Sequence, residues 1–72
     1  MLVICIRNEG YSASLELRKV YEALADSEAE AQGQIRVIDE SGEDYLFPGS
    51  YFKAIELSPS VRRAVLAATQ AG

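Results

Sequence analysis

Along residues 34–38 the apolar Ile35 and Val37 alternate with Gln34 and Arg36. This is the pattern of a strand buried on one face. Residues 39–43, Asp-Glu-Ser-Gly-Glu, break the run. Gly42 can supply the positive φ that a tight hairpin loop needs, and Asp39 can bond its own backbone. Asp44, Tyr45, Leu46 and Phe47 resume in extended form with both aromatics on one parity, and Pro48, lacking an N–H, is expected to end the ladder. Gly49 and Ser50 turn the chain into residues 51–57, where Phe52 has the opposite parity from Ile55 and Leu57. That mismatch predicts a bulge or a single helical turn near Tyr51.

Upstream, residues 1–6 are apolar and β-rich and read as a strand, closed by a turn over Arg7, Asn8, Glu9 and Gly10. Residues 14–31 admit two readings. As a helix, Leu17, Val20, Tyr21, Leu24 and Glu28 share a face, and Gly33 supplies a C-terminal stop. As strands, Leu15 and Leu17 alternate with Glu16 and Arg18. Val20, Glu22 and Leu24 then alternate on the other parity, and residues 26–32 form a loop. After Leu57 the pattern changes again. Ser58 suits a cap and Pro59 a first helical position, with Val61, Val65 and Ala68 on one face and Leu66 beside it. This predicts a short, alanine-rich C-terminal helix that either closes the open end of the strands or presents a surface to another subunit.

Laid end to end, residues 2–57 resemble the SH3-like barrel. Residues 45–55, YLFPGSYFKAI, are similar to the family's stretch in which an apolar pair precedes a proline, two small residues, a tyrosine and a final strand. Residues 35–47 look like the family's third and fourth strands with their distal hairpin. Residues 14–24 resemble its diverging turn and second strand, which favours the extended reading of this segment. The resemblance assigns residues 8–13 and 26–32 to the two loops that flank the family's binding groove. Family members that bind proline-rich peptides clasp them with a tryptophan on the third strand and aromatics from the first strand. This chain has no tryptophan, and its first strand offers Ile4, Cys5 and Ile6 instead. Pro48 and Tyr51 carry over as groove members. Tyr11 and Glu30 join them by their loop positions.

Composition narrows the function classes. Seventy-two residues make one domain, in which most aliphatic side chains must be buried for a sufficient core. The longest apolar run is too short to span a bilayer and lacks the features of a signal peptide, so a cytoplasmic, membrane-free protein is expected. The single cysteine, Cys5, fits a reducing compartment and a core position. Eleven acidic against seven basic residues give a net charge of −4. Acids gather at Glu40, Glu43 and Asp44 and at Asp26, Glu28 and Glu30. Such a surface repels phosphate, and nucleic-acid binding is not expected. With no histidine in the chain, no histidine-based triad can activate a serine. Carboxylates on an exposed hairpin have no burial to raise their pKa.

The sequence therefore predicts a mainly β protein, a small SH3-like five-stranded barrel over residues 1–57 with a helical appendage over 58–72. It is expected to be non-catalytic, without cofactor or metal, and to bind another protein, one of basic character, through Tyr11, Glu30, Pro48 and Tyr51. The alternative is a small regulatory subunit of a larger assembly with an α+β fold, built on a helix through residues 14–31. Oligomeric state is not legible at this stage.

Overall fold

The computed structural model describes residues 1–68. Five antiparallel strands form the body: β1 (Leu2–Cys5), β2 (Val20–Leu24), β3 (Gln34–Ile38), β4 (Asp44–Pro48) and β5 (Phe52–Ala54). A short helix α1 (Ser27–Ala31) lies between β2 and β3, a 3₁₀ turn (Gly49–Tyr51) between β4 and β5, and α2 (Pro59–Ala68) follows the last strand. The order across the sheet is β4-β3-β2-β1-β5. The protein is mainly β with a ten-residue helix, as the sequence predicts. The sheet does not close, because β4 and β5 are its two edges and no ladder joins them among the described residues.

Strand β2 holds the two halves together. Val20, Tyr21 and Glu22 pair with β1, while Ala23 and Leu24 pair with β3. The core beneath is Val3, Cys5, Leu15, Tyr21, Ala23, Val37, Phe47 and Phe52, with Ile35 and Tyr51 packed against it. Cys5 is fully buried, and its thiol donates to the Arg7 carbonyl at 3.2 Å.

The β3–β4 hairpin follows its sequence signals. Ser41 N–H donates to Asp39 Oδ1 at 2.8 Å, Gly42 N–H to Asp39 O at 3.0 Å, and Gly42 takes φ +85°. Pro48 ends the ladder as expected, the last residue of β4 and paired opposite Gln34. The hydrogen-bonded pairs of this hairpin fall on odd positions, as the bonds Asp39 N–H to Glu43 O and Gly49 N–H to Gly33 O show. Antiparallel pairs alternate, so the backbone groups of Asp44, Leu46 and Pro48 point away from β3. The donor that Pro48 lacks would have faced the open edge, and the ladder loses nothing.

The turn expected near Tyr51 is the 3₁₀ turn, after which Phe52 returns to the core. Residues 14–31 follow the extended reading in β2 alone. The continuous helix of the α+β alternative does not form, and the strand is confined to Val20–Leu24. Leu15 is fully buried, yet Leu17 is half exposed, because residues 17–18 turn and Arg18 sits at φ +65°. Residues 26–32, read as a loop, contain α1. Asp26 caps it, its Oδ1 accepting from Ala29 N–H at 3.0 Å. At the C-terminal end Ser58 takes the capping place, with Val61 N–H 3.3 Å from its Oγ. No side chain of α2 is fully buried, and Val65 and Leu66 are half-buried. No helix among the described residues is long and apolar enough to cross a membrane. Residues 69–72 of the predicted appendage lie outside the described residues.

Candidate functional site

The long connection between β1 and β2 is pinned at many points, and that determines where Tyr11 stands. Leu15 plugs its centre into the core. Asn8 Nδ2 donates to the Leu15 carbonyl at 2.9 Å, Tyr11 N–H to Asn8 O at 2.8 Å, and Ser14 and Leu15 N–H both to Tyr11 O at 2.9 Å. At its ends, Ile6 N–H donates to Tyr51 O at 2.8 Å and Arg18 N–H to Cys5 O at 2.7 Å. A loop bonded at this density holds its side chains in place although it has no regular secondary structure.

Tyr11 is thereby set edge-on against two other rings. Its centroid is 5.1 Å from Phe47 at 83° and 6.1 Å from Tyr51 at 73°, the T-shaped arrangement aromatic pairs favour. The Tyr51 hydroxyl donates to the Glu9 carbonyl at 2.8 Å. The Arg7 guanidinium stands 5.3 Å above the Tyr51 ring and pairs with Glu9 at 2.9 Å, and this pairing raises the Arg7 pKa and lowers that of Glu9. Tyr11 remains 39% exposed. Half-buried Pro48 caps the 3₁₀ turn that ends in Tyr51.

Of the four residues singled out from the sequence, Tyr11, Tyr51 and Pro48 thus share one region. Glu30 is exposed on α1, and it makes no hydrogen bond or ion pair with the other three among the described residues. Arg7 and Phe47, which frame the tyrosines, were not singled out. No local signal marks Arg7, and Phe47 reads simply as a core residue.

The acidic clusters are more heavily partnered than solvated loop carboxylates would be. Asp26 both caps α1 and meets Arg36 Nε at 2.9 Å, while Asp44 meets Arg36 Nη1 at 3.0 Å. The Ala29 N–H, and then Arg36, hold the Asp26 carboxyl below its ordinary pKa. Glu40 accepts from Lys19 Nζ at 2.6 Å and from the Tyr21 hydroxyl at 2.5 Å. The Tyr21 hydroxyl itself receives Glu16 N–H at 2.7 Å. Burial first, with Glu40 adding to it, pushes the Tyr21 phenol well above its ordinary range. The bonds of Asp26, Asp44 and Glu40 are structural ties between segments remote in sequence.

Two grooves open on the surface. One of about 410 Å³ is walled by Tyr11, Ser14, Asp39, Tyr45, Leu46 and Phe47. The other, about 720 Å³, separates α2 from the first half of the sheet and includes Leu2, Val20, Glu22, Val65 and Leu66. No protein-family model, curated protein or solved structure matches the chain.

Proposed function

We propose that this protein is a non-catalytic interaction module of SH3-like barrel type, binding another protein at the surface around Tyr11, Tyr51 and Pro48. The observation that carries the reading is the Tyr11 ring, exposed yet braced edge-on by Phe47 and Tyr51. An aromatic side chain fixed before binding loses little rotamer freedom on contact, and tyrosines of this kind are common anchors of protein interfaces. The strand order and the 3₁₀ turn before β5 support the SH3-like assignment. Without the tryptophan of the peptide-binding members, the tyrosines and Pro48 carry the contact. A basic or mixed-charge partner suits the net charge of −4 and the exposed Glu28 and Glu30 of α1. The same net charge argues against a nucleic-acid ligand.

The test compares what wild-type protein and a Tyr11→Ser, Tyr51→Ser variant retain from a native extract, then maps the retained partner on labelled wild-type protein. Loss of the partner with the double variant, and shifted amides around residues 8–13 and 48–51, are expected. A footprint confined to Arg62, Arg63 and Leu66 would move the site to α2 and refute the assignment.

A further inference from the structure

Strand β4 is an open edge, and its outward backbone groups can be read from the register. Asp44 and Leu46 each direct an N–H and a C=O away from β3, and Pro48 directs a C=O alone. Edge strands are usually blunted by shortness or by charge, lysine above all, and by proline. The other edge, β5, is blunted by both shortness and charge, being three residues long with exposed Lys53 at its centre. β4 is five residues long, carries no lysine, confines its charge and its proline to its two ends at Asp44 and Pro48, and exposes Tyr45 at 48% and Leu46 at 37%. The 410 Å³ groove reaches both of these side chains, so space lies open along the edge.

We propose that β4 is an assembly edge on which a second copy of this chain adds its own β4 antiparallel, about a twofold axis through Leu46. The strand is self-complementary in this register. Leu46 exchanges two hydrogen bonds with Leu46 of the other copy, and each Asp44 N–H donates to the other copy's Pro48 C=O. The missing donor of Pro48 leaves only the Asp44 carbonyl unpaired, at the two ends of the new ladder. Charge permits the arrangement, because Asp44 falls opposite Pro48 and Glu43 opposite Gly49, so no two carboxylates face each other across the axis. Leu46 meets its copy on the outer face beside Arg36. Tyr45 comes opposite Phe47 on the inner face, within reach of the ring of Tyr11, and gains ring neighbours there. The occupant is a second copy because this register satisfies the edge with β4's own residues.

Such an interface is well below the roughly 1,200 Å² of a standard complex. A Kd of about 0.1 to 1 mM is expected from a few hydrogen bonds and one leucine pair. Sedimentation at about 1 M salt, where the Debye length is about 3 Å and the net charges no longer repel, follows association as the concentration is raised through that range. The expected result is a shift from monomer to dimer, with exchange of the Asp44 and Leu46 amides slowing severalfold over the same range. Leu46→Lys removes the leucine pair and leaves two ammonium groups on the axis that must give up their water, a cost that salt does not screen, and it abolishes the shift, while Val61→Lys on α2 leaves it unchanged. A monomer throughout overturns the proposal. So do Asp44 and Leu46 exchange rates in the wild-type protein that do not move with concentration. A dimer that survives Leu46→Lys and is lost in Val61→Lys overturns it equally.

Discussion

Gly42 at φ +85° has open space where a Cβ would stand, so a substitution there meets a backbone penalty and no steric one. Gly42→Val is expected to destabilise by about 1 kcal/mol or more, because a β-branched residue tolerates the left-handed region poorly. Denaturant melts read this directly, and an unchanged midpoint would mean that the turn has another conformation. This position was legible in the sequence because its requirement is local. Glu40 was not, since its partners Lys19 and Tyr21 are about twenty residues away. Lys19, and then the Tyr21 hydroxyl, hold the Glu40 carboxyl below its ordinary value of 4.5. A depressed folded-state pKa contributes stability that is complete above the unfolded value and is lost as pH falls through the folded one. Glu40→Gln should therefore lower stability at neutral pH and flatten its decline on acidification below pH 4.5. Parallel acid limbs for wild type and variant would show that the ties to Lys19 and Tyr21 do not discriminate the charged form.

Among the elements, α1 is held by side chains more than by its own length. Five residues are too few for a helix to persist unaided, and its period is too short to register in the hydrophobic pattern. The signal present was Asp26 before Ser27 and Glu28, a cap with an acidic first turn, and a search for caps would have found it. Because Asp26 also pairs with Arg36, cap and charge can be separated. Asp26→Asn keeps an acceptor for Ala29 N–H and loses the ion pair, while Asp26→Ala loses both. Melting temperatures should fall in the order wild type, Asn, Ala, and faster exchange of the Ala29 amide should accompany the alanine variant. Equal melting for all three would mean that α1 is held by the chain around it. α2 shows the opposite case, since Ser58 and Pro59 made its start readable. Its apolar side has no deeply buried residue in the structure, and that depends on its distance from the sheet, which no cap encodes.

For the whole molecule, the strands were legible wherever alternation and turn residues coincide, as they do in β3 and β4. The connection between β1 and β2 was not, because it is ordered by contacts with Cys5, Tyr51 and Glu40 that are remote in sequence. Alternation treats Leu15 and Leu17 as equivalent, whereas the turn at Arg18 sends one into the core and the other to solvent. Leu15→Ala should cost about 2–5 kcal/mol and Leu17→Ala less than about 0.5 kcal/mol, measured by denaturant unfolding. Similar losses at both would restore the continuous strand. The same remoteness explains the candidate site: Tyr11 and Tyr51 are forty residues apart, and only the resemblance to a known barrel paired them. Cys5 offers a way to time this architecture from within. It is the chain's single thiol, fully buried on the central pairing of β1 with both β2 and β5, and burial raises its pKa. An alkylating reagent can reach it only when that centre comes apart, so the labelling rate in plain buffer becomes a clock for the rarest openings of the protein, read without denaturant. Labelling at the speed of a free thiol would mean that β1 leaves its neighbours far more often than its burial implies.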